Sequence, residues 1–398
     1  MDYNPLSPEV MENPYPYYAY LREHAPVYWI KPLQGWALSR YTDVDFALRN
    51  PQIFSSSEFT TQTLGDLNPT PETPWILDMN PPDHTRLRKL VNKGFLPRLI
   101  RHLEPRVQEI TRQLIASLRS QTEGDLVTAL SGPLPTTVIA EMLGVEAECL
   151  DDFKRWSDEV VLGTSRPTDE AIRTRVRQSG AALRTYFERL IERRRTDPGE
   201  DVITALVRAE EERDMLSASE ILGLAVLLLL AGNETTTNLI GNAVRNLLNH
   251  PAELAKVRAD RALVPSLVEE ILRYDSPVQL LPRLTVREVE LEGGKIPAGA
   301  TVFLLLGSAN RDERKFPDPD RFDVTRNPQD HVGFGYGIHY CLGAPLARLE
   351  GRIALESLLF DCPPFTCTRE HLPLIASIIV RGVQTLPLRF ETTRTAVA

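Results

Sequence analysis

Cysteine is scarce in this 398-residue chain: the four, at 149, 341, 362 and 367, show no C-x-x-C or framework spacing. That excludes a disulfide scaffold and a cysteine-rich zinc module, and points to a reducing, cytoplasmic setting. Positive charge is not in excess either. With 45 Lys and Arg against 54 Asp and Glu, the net charge is −9, which excludes the basic footprint that general nucleic-acid binding needs. The start, Met1-Asp2-Tyr3-Asn4-Pro5, lacks a basic stretch followed by an apolar one, so no export signal is expected. Long hydrophobic runs are missing too. The most apolar, Ile221 to Ala231, is about half the length of a bilayer span and reads as a buried core helix, with no membrane association expected. No Gly/Ser-rich linker or low-complexity tract divides the sequence, and its 42% hydrophobic and 25% charged residues are ordinary globular values. A single domain over residues 1–398, monomeric in solution, is the expectation.

What is present concentrates around Cys341. The stretch Phe334-Gly335-Tyr336-Gly337-Ile338-His339-Tyr340-Cys341-Leu342-Gly343-Ala344-Pro345 brackets one cysteine with three glycines and leads into an amphipathic helix. Glycine permits φ > 0 and lets the backbone approach a flat object, while Pro345 suits a first helical turn. Cys341 therefore sits in a tight loop at a helix N-terminus, where the dipole and free N–H groups favour a thiolate able to bind a metal. A buried structural cysteine is the plainer reading. Zinc would need four N/S ligands, and His331, His339 and Cys341 supply too few. A single axial thiolate to haem iron is the metal reading that remains. Here the pattern Phe334-x-x-Gly337-x-x-x-Cys341-x-Gly343 resembles the haem-binding loop of the cytochrome P450 family.

Two further motifs lie upstream in the order that family keeps. Ser217-Ala218-Ser219-Glu220 is a capping box, opening a helix that can run to Asn249 before His250-Pro251 ends it. Inside this nearly all-apolar helix, Ala231-Gly232-Asn233-Glu234-Thr235-Thr236 turns small and polar, a costly departure in a buried helix. A kink with Thr235 bonded back one turn would account for it; an acid beside a hydroxyl can also pass protons to a ligand on iron. The hexad is similar to the family's oxygen-activation motif. Glu270 and Arg273 stand i, i+3 and can pair; in the family such a pair is buried and structural, with an Arg or Asn expected from residues 321–327 as third partner. Earlier, a helix opening near Pro81-Pro82 puts His84 and Arg88 one turn apart, able to clamp a carboxylate or to form a solvated basic face.

The resemblance implies a mainly α protein with small β-sheets (α+β), a long central helix over a haem, a helical core over about residues 80–275 and β-richer ends. It implies haem b with Cys341 as iron ligand and Phe334, Gly335, Gly343 and Ala231 around it. His84, Arg88, Arg283 and His339 are expected on the propionates. O₂ is the co-substrate, and Glu234 and Thr235 are the expected proton-delivering pair. The implied activity is a monooxygenase that hydroxylates or epoxidises a largely apolar small molecule, of the macrolide, terpenoid or steroid kind. Its electrons would come from a separate ferredoxin or flavodoxin with an NAD(P)H reductase, docking near Arg86, Arg88, Lys89, Lys93, Arg98 and Arg101. Leu227, Leu230, Val278, Gln279, Leu280 and Ile378 are expected at the pocket. A peroxide-driven fatty-acid hydroxylase and a non-catalytic haem ligand-binding protein are the alternatives.

From the residues themselves, 14–24 read as a helix, Val27–Ile30 and Trp36–Ser39 as a hairpin and Tyr41–Arg49 as a helix. Residues 55–74 have no period and read either as a functional loop or lid or as a disordered surface loop. A string of helices is expected from Leu103 to Arg213, broken at Gly124, Gly132-Pro133, Gly144, residues 163–167 and Asp197-Pro198-Gly199. Strands are expected near 286–291 and 302–306.

Overall fold

The capping box at Ser217 forms as expected: its hydroxyl accepts from Glu220 N–H, and the Glu220 carboxylate accepts from Ser217 N–H. The helix it opens, Ala218–Asn249, runs 32 residues without interruption, roughly 50 Å at the α-helical rise. A computed structural model of the chain describes residues 2–391 without 74, 166 and 214–215, and of 93–102, 165 and 211–213 only the backbone. Among the described residues Ala218–Asn249 is the one helix long and apolar enough by composition to cross a bilayer, and 56% of its most apolar window is buried. Burial, and not shortness, makes it a core helix.

Around it pack Pro133–Leu143, Leu150–Leu162, Glu170–Thr196 and Val202–Arg213. Val264–Tyr274 and Ala344–Asp361 pack against it as well. One continuous cluster of buried Leu, Ile, Val and Phe joins them, the main source of stability for a fold of this kind. The helix expected at the prolines and the helical stretch expected from Leu103 are one element, Asp83–Arg119, with Pro105 inside it.

The sheets draw their strands from the first 55 residues, from residues 281–304 and 365–390, and from a short stretch at 123–125. The hairpin Val27–Ile30 with Gly35–Leu38 continues, parallel, into Thr301–Leu304, then antiparallel into Leu281–Thr285 and Phe54–Ser55. This sheet covers a second apolar cluster that includes Leu38, Val44, Phe54, Val302 and Val332. A small hairpin joins Val289–Leu291 to Gly294–Ile296. Gly124, expected only as a break, lies in a strand, Glu123–Asp125, paired with Pro387–Phe390, which also pairs with Phe365–Cys367.

Residues 55–73 hold short elements that no period announced. Phe59–Thr63 is a single helical turn and a half, Gly65–Leu67 a 3₁₀ turn, and Leu64, Leu67 and Trp75 are buried. Asp66 pairs with Arg173 at 2.6 Å and Arg177 at 3.1 Å, which straps this segment to helix Glu170–Thr196.

Candidate active site

Gly335 and Gly337 take φ of 69° and 70°, the left-handed region open to glycine at no steric cost. A side chain at Gly337 would also approach Leu48 O to 2.5 Å. These turns bring Cys341 N–H to Phe334 O at 3.0 Å and leave Cys341 three residues before helix Ala344–Asp361, with Gly343 at its N-cap. The surroundings act on the sulfur in two directions. Burial pushes the Cys341 thiol up, while the N–H groups of Gly343 and Ala344 and the charges of Arg88 and Arg348 pull it down. Burial prevails, against the expectation that the helix terminus alone favours the thiolate, because desolvation of a small anion outweighs a few partial charges. A metal ion on sulfur would reverse that balance.

Four nitrogenous side chains gather beside the loop. His84, from helix Asp83–Arg119, is 2% exposed, and its ring centroid lies 4.3 Å from that of His339. Arg88, one turn on, donates to Tyr340 O at 2.6 Å. Arg283, on strand Leu281–Thr285, is buried and donates only to the neighbouring Pro282 O, at 2.8 Å. No carboxylate among the described residues pairs with Arg88 or Arg283, and Nε2 of both His84 and His339 is buried without a partner. Burial, then the Arg88 charge, pushes His84 down to about 4. Burial, then Arg283, His84 and Arg88, pushes His339 down to about 2, and burial lowers Arg283 to about 10. Polar groups left without partners are costly, and two guanidinium groups beside two neutral imidazoles are complementary to a dianion.

In the central helix Ala231 is the one exposed residue between Glu220 and Leu248. Thr235 Oγ1 donates to Ala231 O at 2.7 Å, the back-bond that a kink would use, although the helix stays continuous. Asn233 is accounted for structurally, held by Thr136 at 2.8 Å and Ser157 at 2.9 Å. Glu234 accepts from Asn238 Nδ2 at 3.2 Å, and burial raises its carboxyl above the ordinary range. Leu227 is buried and Leu230 half-buried on the same stretch.

Val278 bridges to Val380, close to half-buried Ile378. Gln279 and Leu280, expected at the pocket, are buried among other partners. Gln279 donates to Ser276 O at 2.8 Å and faces Tyr18; Leu280 packs with Tyr3, Phe303 and Leu305.

Glu270 and Arg273 are both 0% exposed and joined by two bonds of 2.8 Å. Arg326 adds the third group, 3.3 Å from Glu270. Sequence reasoning missed Glu269. Its carboxylate takes Arg348 through bonds of 2.6 and 2.9 Å and His331 at 2.9 Å, so one acid ties both flanks of the cysteine loop to helix Val264–Tyr274. Burial raises Glu269, but Arg348 and His331 hold it down at about 2. Arg348 also covers the Phe334 ring at 4.6 Å. Of the expected docking cations, Arg86 is engaged with Glu220 and Lys89 is exposed. The side chains of Lys93, Arg98 and Arg101 lie outside the described residues.

The cytochrome P450 family model matches residues 9–377. The chain belongs to the cytochrome P450 family. It is 43% identical over 387 residues to cytochrome P450 107B1 of Saccharopolyspora erythraea, covering 94% of both chains. Against vitamin D(3) 25-hydroxylase of Pseudonocardia autotrophica the identity is 42%, over 95% of this chain and 94% of that one. The solved structure of CYP109Q5 from Chondromyces apiculatus superposes with a TM-score of 0.90 at 42% identity, covering 98% of each. The protein is thus a P450 monooxygenase, and P450 membership implies a thiolate-bound haem and O₂.

The residues present fit that group. The partnerless His84 and His339 nitrogens and the unpaired Arg88 and Arg283 suit two carboxylates. A side chain built at Gly343 would meet no protein atom within 4 Å, as expected where a flat cofactor passes close to backbone. A polar cleft of about 630 Å³ near Tyr15, Arg245, Arg311, His371 and Arg381 lies elsewhere. Its buried charges are satisfied internally, Asp275 by Arg245 and Arg381, so it adds nothing to the chemistry.

Proposed function

We propose that this P450 hydroxylates or epoxidises a largely apolar, bulky small molecule, with electrons delivered by a separate ferredoxin or flavodoxin. Haem b, when bound, supplies the oxidising chemistry from O₂ and two electrons. Cys341 would hold its iron, and His84, Arg88, Arg283 and His339 would hold its two propionates. The observation that carries this is the gathering of His84, Arg88, Arg283 and His339 beside the cysteine loop with no carboxylate partner among the described residues.

The remaining steps belong to the chain's own side chains. Glu234, whose carboxyl burial raises above the ordinary range, can take up a proton and release it, as a general acid requires. Thr235 has its hydroxyl proton on Ala231 O, which leaves its oxygen lone pairs free to accept from Glu234 or a water and to relay. Leu227, Leu230, Val278 and Ile378 offer apolar contact and exclude water. Apolar walls select by size and shape, and the hydroxylation of vitamin D(3) named for one relative supports a substrate of that bulk and polarity.

The test is coupling, measured as product formed per NAD(P)H consumed with a surrogate ferredoxin and reductase. Thr235→Ala should keep consuming NAD(P)H while product falls at least about tenfold, an ordinary loss for a missing proton-transfer group. Unchanged coupling would remove Thr235 from the reaction.

A further inference from the structure

Glu234 does not stand alone in the central helix. Asn238, one turn on and 1% exposed, donates from Nδ2 to Glu234 Oε1 at 3.2 Å. Its own Oδ1 is buried with no partner, an expensive arrangement for an amide. The amide packs directly on Gly382. A Cβ built there would lie 1.9 Å from Asn238 Oδ1, 2.3 Å from its Cγ and 2.9 Å from its Cβ. Gly382 has no positive φ, so the absence of a side chain there serves packing and not backbone conformation.

The segment carrying Gly382 is fixed on both sides. Ile375 N–H donates to Gly382 O at 3.0 Å and Leu374 bridges to Val383. Asn242 Nδ2, one turn beyond Asn238, donates to Arg381 O at 2.9 Å, and Val383 lies 3.2 Å from where a side chain at Gly241 would start. The C-terminal segment therefore presses on the central helix and holds the plane of the Asn238 amide, whose donor lies toward Glu234.

We propose that Asn238, wedged by Gly382, is the positioning residue for Glu234: it fixes the carboxylate's orientation and favours its charged form. The proposal deepens the reading of Glu234 as a proton carrier and rests on it only for the catalytic consequence. Other charges facing Glu234 come from helix Leu150–Leu162, where Asp158 disfavours the carboxylate and Lys154 favours it. Those two pair with each other at 2.7 Å, so their effects on Glu234 largely cancel. Burial and the Asn238 donor remain as the main opposed influences.

Asn238→Leu keeps the number and branching of the heavy atoms while removing both the donor and the partnerless oxygen. Gly382→Ala keeps the amide and displaces it. The haem-loaded variants would be titrated by difference infrared spectroscopy, with the Glu234 carboxyl band identified by its loss in Glu234→Gln. Both variants should bind the Glu234 proton about tenfold more tightly than the parent, the scale of one lost hydrogen bond to a buried carboxylate. An unchanged midpoint in folded Asn238→Leu overturns the proposal. A shift with Gly382→Ala as well supports the wedge, and a shift with Asn238→Leu alone overturns the part given to Gly382. Coupling measured on the same proteins separates the two claims. A moved titration with unaltered coupling in Glu234→Gln would sink the proton-carrier reading and leave the positioning intact.

Discussion

Replacing Glu350 by Gln should stabilise the protein, and more so as pH rises. Glu350 sits in the helix after Cys341, 2% exposed, with Oε2 lacking any partner. Burial alone pushes its pKa from 4.5 up to about 8. The folded protein thus binds this proton more tightly than the unfolded chain, so stability is fully present below the unfolded value and declines as pH rises toward the folded one. At about 1.36 kcal/mol per pKa unit, the loss accumulated between about pH 5 and about pH 8 is roughly 3 kcal/mol. Gln does not titrate. Either side chain leaves a polar atom without a partner, so that cost cancels when the two proteins are compared across pH. Equilibrium urea unfolding of the haem-loaded proteins, followed by tryptophan fluorescence at both pH values, reads the difference directly. The stability gap should widen by that roughly 3 kcal/mol; parallel pH dependences would refute the assignment of a buried, protonated Glu350.

Glu270→Ala leaves the fully buried Arg273 guanidinium with only carbonyl partners, and should cost about 3–5 kcal/mol, since removing one member strands a charge. A urea midpoint equivalent to less than about 1 kcal/mol would contradict a structural role for the pair. Gly343→Ala adds a methyl that meets no protein atom within 4 Å at an ordinary φ of −82°. Stability of the haem-free protein should change by no more than about 1 kcal/mol, the usual scale at an N-cap, while haem retained through purification falls. Undiminished haem content would mean that no cofactor lies against this glycine.

Much of the molecule was legible in local patterns, because those signals act within a few residues. The capping box, the apolar run and His250-Pro251 sufficed for the central helix from Ala218 to Asn249. The alternation around residues 31–35 sufficed for the hairpin. The three motifs carried the family, and with it the candidate site, since spacing in the chain encodes loop geometry around Cys341. The short helical turns within residues 55–73 escaped because elements of so few residues show no period.

Sequence by itself thus determined the helices, the cysteine loop and the family; tertiary structure alone decided which side chains meet. Glu269 clasps Arg348 from 79 positions away, and Gly382 makes room for Asn238. Gln279 and Leu280 turn to the core. It also decided the electrostatics: a helix N-terminus favours a thiolate, but the depth at which Cys341 lies outweighs it. Burial and long-range contact are properties of the packed chain, and no window of neighbouring residues contains them.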